Sequence, residues 1–585
     1  MDRNTLYEKI YACWQGKLLG RGAVAGAEDA YPHAEVDLQL LNLHAMESYG
    51  TRMTAEHIAA EWSEHCFLPW DEFGHAVTAL RLGFKPPFSG AFDNHFINCM
   101  GGAIRAELWA AVAAGNPKLA AYLAREDALV DHSGGEGMYG EIFLAVLESM
   151  AYELADVPAL IREALTFIPA DSRVSQTVSH LLSLYEQGID AAYACSEIEA
   201  SCGRTNSTDA PQNIAYILAG LLWGHDVDEA MAVTVRAGGT AVSNAAACGA
   251  VWGILYGHEG LTSTKADLSD ASIQLSDAVR GFRIPADVGE LTRRCVALHA
   301  KFACEDEQTY AIPCEKQEDL TVQHFTLPQD ANPSEAFCVD IRYEDDDPTV
   351  APERPQNLRI TLTNHTDWPW TIEARMECPY GLAADVPTQI LVAPGESVSY
   401  SPMVKADTNA YYSIPVDRVY PVVLAIKRLN CGDRWKIYRL PIPLLIPNRW
   451  ILNGKPALVP ATTVSFAEKA QDGVYVAEAT LSTPPVTRET RMICNCVWPT
   501  TVELDGDVIM HTETPSPFLP AYHRVPEDQR RDGILQRGFH KVKVTVRMPE
   551  DARDILPTFV VSFHAPEQVT EPGNFYAYTD IHFAR

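Results

Sequence analysis

The sequence predicts a multidomain chain: an all-helical region running to about residue 305, followed by two β-sandwich domains. Three observations carry this. Apolar residues recur at helical spacing in the first half, as at Ile104, Leu108 and Val112, and again at Ile142, Val146 and Met150. That spacing lines one face of a helix. After about residue 305 Pro, Thr and Val become more frequent and apolar residues start to alternate, the two-residue period of a half-buried strand. The length, 585 residues, exceeds one core and suggests roughly three domains.

In the helical half, Ala is abundant and Pro falls mainly between segments, at Pro69, Pro86-Pro87 and Pro117. Ser133-Gly134-Gly135 marks a loop or a helix start. Beyond the switch, Leu358-Arg359-Ile360-Thr361-Leu362-Thr363 alternates as a strand does. Val392 to Val398 reads strand, turn, strand around Pro394-Gly395. A second β region starts near Asn448. Within it Asp505-Gly506, between Val502-Glu503-Leu504 and Asp507, is a hairpin signal. Val542 to Val546 alternates again. The predicted divisions are 1–305, 306–446 and 447–585.

Apolar residues make up 47% and charged residues 21%, an ordinary globular balance. The formal charge of -31 repels phosphate backbones and anionic lipid, so neither nucleic acid nor membrane is an expected partner. No stretch reaches the ~18 uninterrupted apolar residues of a membrane span, and the N-terminal segment lacks a signal peptide's apolar core. The fourteen cysteines are scattered, and the one close pair, Cys494 and Cys496, lacks zinc-site spacing. These features lead us to expect a reduced, cytoplasmic protein. The run Glu344-Asp345-Asp346-Asp347 has no EF-hand spacing after it and reads as a solvated loop.

Carboxylates cluster with glycines and aromatics in the helical half. Glu28 follows Gly20, Gly22 and Gly26, and Glu35 and Asp37 come soon after. Then come Trp70-Asp71-Glu72, Asp93-Asn94, Asp131-His132, and Glu136 with Tyr139. Glycosidic cleavage needs a carboxylic acid at the leaving group and a carboxylate or activated water opposite it, and such a set offers both. A carboxylate beside an aromatic face suits a sugar's hydroxyls and its apolar side. Glu28, Asp71, Asp131 and Glu136 are the catalytic candidates. Glu35, Asp37, Trp70, Glu72, Asp93, Asn94, His132 and Tyr139 are the substrate-binding ones. The catalytic four are expected to converge on one pocket with Trp70, Asp93 and His132.

The order of the segments carries a resemblance. Trp14-Gln15-Gly16-Lys17-Leu18-Leu19-Gly20, then Glu28, then Val36-Asp37-Leu38-Gln39, resembles the opening of bacterial ADP-ribosylglycohydrolases. Phe67 to Phe73, Phe92-Asp93-Asn94, Val130-Asp131-His132 with Glu136 to Gly140, Ile168 to Arg173, and Gly249 to Ile254 resemble further blocks of that family. The resemblance spans roughly residues 5 to 300 and implies an all-helical glycosidic-bond hydrolase fold. It also implies two Mg²⁺ ions, held by an early Asp-Asp pair and a late Asp-x-Asp-Thr/Ser element. Glu28 falls at the family's early acidic residue and His132 at its mid-chain histidine. The early pair falls on Ala34 and Glu35, and the late element on Thr240-Ala241-Val242-Ser243. Valine cannot hold a hard cation that takes oxygen ligands, so the paired site is expected to be lost and no cofactor is expected.

The C-terminal region, through Glu503 to Asp507, Tyr522-His523-Arg524 and Gly538 to Val544, resembles a galactose-binding-like jelly roll. Residues 310 to 445 resemble an immunoglobulin-like spacer. The expected function is a glycoside hydrolase working by carboxylate acid/base chemistry on a small carbohydrate or glycoside. The alternatives are an ADP-ribose-conjugate hydrolase with a reduced metal site, and an inactive sugar- or nucleotide-binding protein. The β domains offer surfaces for a homo-oligomer.

Overall fold

A computed structural model describes residues 1–22, 24, 34–67, 70–261, 273–303, 320–328, 335–413, 419–430, 436–484, 488–565 and 581–583. A helical N-terminal region is followed by a β-rich region of antiparallel sheets. The chain divides into two compact units, residues 1–68 with 96–320 and residues 69–95 with 321–585. Among the described residues no helix is long and apolar enough to cross a membrane.

The first unit is built from helices whose starts are written locally. Asn116, Asp156, Ser172, Asp190, Asp226 and Asp287 each precede a helix, and each side chain accepts a backbone N–H of its first turn. Such caps satisfy amides that have no intrahelical acceptor. The apolar spacing from Ile104 to Val112 divides between a 3-10 turn at Ala103–Arg105 and a short helix at Glu107–Val112. Ile142 and Val146 are buried on the Glu136–Ala151 helix.

The first helix, Arg3–Gly22, packs along Ala241–Tyr256 backbone to backbone. Gly16 and Gly20 face Gly249 and Ala245, and Gly253 faces Ala12. A Cβ on Gly16, Gly20, Gly249 or Gly253 would overlap a carbonyl oxygen of the opposite helix. Both glycine pairs are spaced by four, so each pair lies on one helix face. In an isolated helix Gly→Ala gains about 1 kcal/mol. Here the obstacle is backbone, which has no rotamer to change, so the sign reverses. Gly16→Ala and Gly249→Ala are each expected to cost about 1–3 kcal/mol net, read as a lowered thermal midpoint. A raised midpoint in either variant would show that this contact is looser than described.

The second unit holds two pairs of sheets, each pair enclosing one apolar core. In the first pair, strands Gln323–Leu327, Phe337–Tyr343, Gln356–Asn364, Met403–Ala406 and Leu382–Ala384 lie in that order. Ser397–Tyr400 also pairs with Gln356–Asn364. The facing sheet is ordered Lys436–Leu445, Val419–Arg428, Trp370–Glu377, Ile390–Val392. Val339, Ile341, Ile360 and Leu362 from one sheet share a core with Ile372, Leu424, Ile426 and Ile442 from the other. Ile390–Val392 and Ser397–Tyr400 lie in opposite sheets, so the turn at Gly395 (φ +72°) carries the chain across the core. Glu344, Asp345 and Asp346 are exposed. Asp347 instead is buried, paired with Arg354 and accepting the Thr349 N–H.

In the second pair, Val474–Thr483 and Gly538–Arg547 run side by side in a larger sheet facing Thr558–His564 and Arg488–Cys496. Tyr475, Ala477, Val542, Val544, Met492, Cys494, Phe559 and Phe563 form the core between them. Asp505-Gly506 makes the two-residue hairpin, with both φ values positive and Leu504 opposite Asp507.

Helical periodicity groups Asp71–Arg81 with the other helices, but in the structure it belongs to the β unit. The reason is apolar burial: Ala79, Phe84 and Phe88 enter the first β core beside Phe337 and Tyr343. Phe88 lies 5.0 Å from Tyr343, ring centre to ring centre.

Candidate active site

The helical unit has a fully buried charge network centred on Arg105. Its Nε donates to Asp127 at 2.6 Å, while Nη1 and Nη2 donate to the two oxygens of Asp131 at 3.0 and 2.9 Å. Glu141 lies 3.8 Å from Nη2 and accepts the indole N–H of Trp109 at 2.8 Å. Asn42 donates to Asp127 at 3.1 Å. Burial and the neighbouring Asp127 together push the Glu141 carboxyl well above its ordinary range. Burial acts the same way on Asp131, but Arg105 and His132 outweigh it and hold Asp131 below the usual carboxylate range. Close opposite charge decides the balance. A second buried pair, Lys17 and Glu107 at 2.7 Å, is completed by Gln39.

Next to the network a polar tract runs toward the start of the Ala241–Tyr256 helix. His132 is fully buried, with Nδ1 2.7 Å from Asp131 Oδ1. The chain then turns through Gly134 (φ +81°) into Glu136, the first residue of its helix. Gly137 has no room for a side chain, because a Cβ there would overlap the His132 ring. Glu136 is half-buried. Its two oxygens accept the backbone N–H groups of Arg173 and Val174, each at 2.9 Å, at the start of the Arg173–Glu186 helix. Tyr139 is half-buried. Burial raises its hydroxyl above the ordinary range, and Glu136 and Asp171 add to the shift. Arg173 forks onto Asp209 at 2.9 and 2.7 Å, and Asp209 precedes the Ala210–Trp223 helix that carries Asn213.

Asn213 closes the tract. Its Oδ1 accepts from Thr240 N at 2.9 Å, Thr240 Oγ1 at 3.0 Å and Asn244 Nδ2 at 2.7 Å. Its Nδ2 donates to the carbonyls of Ser207 and Asp209 at 2.8 and 2.7 Å. An amide oxygen has two lone pairs, so three donors leave nothing for a cation. Thr240 begins the segment onto which the resemblance places the family's late aspartates, and Val242 lies two residues further on. Mg²⁺ requires near-octahedral oxygen ligation, and the described donors around Thr240 do not fit it.

Of the sequence-derived candidates, Asp131, His132, Glu136 and Tyr139 lie within this unit. Asp37 is also there, buried, its carboxylate accepting the Ser276 N–H and hydroxyl. Glu28 lies outside the described residues, and for Glu35 the structure gives only its place on the Ala34–Tyr49 helix. The others lie in the β unit. Trp70 is buried at the start of the Asp71–Arg81 helix, and Glu72 is buried on its first turn. Asp71 and Asp93 both have positive φ, +45° and +53°, uncommon for a residue with a side chain. Asp71 pairs with Arg524. Asp93 accepts the Thr462 N–H at 3.1 Å and its hydroxyl at 3.0 Å, and Asn94 donates to the Gly90 carbonyl at 2.9 Å. Both aspartates thus tie the 70–95 segment to the C-terminal sheets. Burial lowers the nearby His75 and His95 imidazoles.

Sequence reasoning missed Arg105, Asp127, Glu141, Asn213 and Asn244. The one available signal was a set of charged residues on otherwise apolar helix faces, such as Arg105 and Glu107 beside Leu108 and Trp109.

Fold and site together describe a helical domain with a polar, acid-bearing tract, joined to antiparallel sheets. Residues 3–286, the helical region, match the family model described as ADP-ribosylglycohydrolase. No curated protein matches the chain. Among solved structures, an anti-sigma factor domain-containing protein aligns at 10% identity, covering 39% of this chain and 84% of its own, with a TM-score of 0.16. An anti-sigma factor domain-containing protein from Clostridium clariflavum aligns at 8% identity, over 40% and 86%, with a TM-score of 0.16. The insecticidal delta-endotoxin Cry8Ea1 from Bacillus thuringiensis aligns at 8%, over 91% and 98%, with a TM-score of 0.15. At such TM-scores nothing about fold or function follows.

Proposed function

We propose that the helical unit hydrolyses a glycosidic bond of a small carbohydrate or glycoside, with carboxylates rather than paired Mg²⁺ ions as its acid and base. The observation that supports this is the saturated amide of Asn213 beside Thr240, where the family's late aspartates would stand. With no carboxylate at Thr240 or Val242, the charge that forms during cleavage falls to protein groups. Glu136 and Glu28 are the pair we assign to acid and base or nucleophile. Asp131, ionised and clamped by Arg105, holds His132 in place and contributes a fixed negative charge. Asp71, held by Arg524, and Asp93, held by Thr462, belong to the other unit and are left out of this assignment.

A panel of glycosides and ADP-ribose conjugates, assayed with and without added Mg²⁺ or Mn²⁺, tests the reading. The expected result is sugar release at a rate that added Mg²⁺ or Mn²⁺ does not change. Release from ADP-ribose conjugates that requires added Mg²⁺ would replace it with a reduced-metal ADP-ribose hydrolase, the reading that the family match favours. Tight binding of a sugar or nucleotide without turnover would make the domain a binding module.

A further inference from the structure

Two helices of the first unit bring an imidazole–carboxylate–imidazole set together. His44 lies on Ala34–Tyr49, and Glu61 and His65 lie one turn apart on Ala55–His65. Glu61 Oε2 is 3.6 Å from His44 Nε2 and 3.4 Å from His65 Nε2, and the three atoms lie within 4.8 Å of one another. The Glu61 and His65 side chains are each 10% exposed, and that of His44 is 29% exposed. Glu61 Oε1 accepts the Tyr49 hydroxyl at 2.9 Å. Oε2 is buried and takes no hydrogen bond among the described residues. A buried carboxylate oxygen without a hydrogen bond is costly, yet two ring nitrogens lie 3.6 and 3.4 Å from it without forming one.

The two nitrogen–oxygen spacings suit an ion held between these groups. A tetrahedral centre with nitrogen and oxygen ligands at about 2.0–2.2 Å sets those ligands about 3.3–3.5 Å apart. The surroundings also orient the ligands. His65 Nδ1 is 2.9 Å from the Arg280 carbonyl, so Nδ1 carries the proton and Nε2 offers its lone pair, the outer-shell arrangement typical of metal-binding histidines. That approach depends on Gly281, where φ is +97° and a Cβ would stand 2.9 Å from His65 Nδ1. Phe282 lies 5.3 Å from the His44 ring and 5.5 Å from the His65 ring, packing against both.

We propose that His44, Glu61 and His65 bind one divalent transition-metal ion of the Zn²⁺ class, with water at a fourth position on the His44 side. Two imidazoles and one carboxylate suit Zn²⁺ and its first-row neighbours rather than Mg²⁺ or Ca²⁺, which take oxygen. This site shares no residue with the carboxylates assigned to hydrolysis, and its test reads metal binding rather than turnover. The two proposals therefore fail independently.

The experiment is competition of the full, untagged chain against a chromophoric chelator for Zn²⁺, followed by Co²⁺ loading. One Zn²⁺ per chain is expected, with the absorption of four-coordinate Co²⁺. His65→Ala and Glu61→Gln should each weaken binding at least about 10-fold, a loss that outer-shell changes alone can produce. His44→Ala, at the exposed rim and least risky for folding, should do the same, and His180→Ala should leave affinity unchanged. Absence of stoichiometric Zn²⁺, affinity unchanged in His44→Ala, or an octahedral Co²⁺ spectrum would overturn the proposal.

Discussion

Arg105→Leu is expected to unfold the helical unit or leave it only marginally stable. The substitution removes the one cation shared by Asp127, Asp131 and Glu141, all fully buried. Breaking a buried ion pair from one side costs about 3–5 kcal/mol, because the partner charge stays in low dielectric without compensation. That is a large part of a domain's ~5–15 kcal/mol. Adding Asp131→Asn should recover part of the loss, since it removes an orphaned charge. If the penalty came from lost packing alone, the second substitution would restore nothing. The pH dependence is a further check. In the wild type Asp131 sits below its ordinary value. Its contribution is full above the unfolded value of about 3.9 and is lost as pH falls through the depressed folded value. In Arg105→Leu that stabilisation is absent, so the gap between the two proteins should narrow in acid. Urea midpoints from neutral pH down to the carboxylate range measure both effects.

Glu136→Gln is expected to lower kcat/KM by about 10²–10⁴-fold on whichever glycoside proves to be a substrate, the usual weight of a positioned acid or base. The same carboxylate caps the Arg173–Glu186 helix through two amides. Gln keeps one acceptor and turns an N–H₂ toward the other amide, so a stability loss of about 1 kcal/mol should accompany the change. The two effects separate cleanly: a loss confined to the thermal midpoint, with turnover near wild type, would leave Glu136 as a helix cap and nothing more.

The residues differ in how legible they were. The caps at Asn116, Asp156 and Asp226, the Asp505-Gly506 turn, and the switch from helical to alternating periodicity all follow from local rules. Each depends on dihedral preferences or hydrogen bonds within a few residues, and a sequence window contains that information. His132 and Glu136 were both drawn from one local stretch, with Ser133-Gly134-Gly135 between them.

The sequence by itself therefore determined the element types, the helical-then-β order and the absence of carboxylates at Thr240 and Val242. Tertiary structure alone decided which charges meet. Arg105 finds Asp127, Asp131 and Glu141 on neighbouring helices, His44 finds Glu61 and His65 across a helix pair, and the 70–95 segment buries its phenylalanines in a β core more than 200 residues further along the chain. Periodicity records which face of an element is buried, but not which other element covers it. An ion pair or a metal-ligand set depends on that second fact, fixed only when the apolar faces pack and bring distant side chains within a few ångströms.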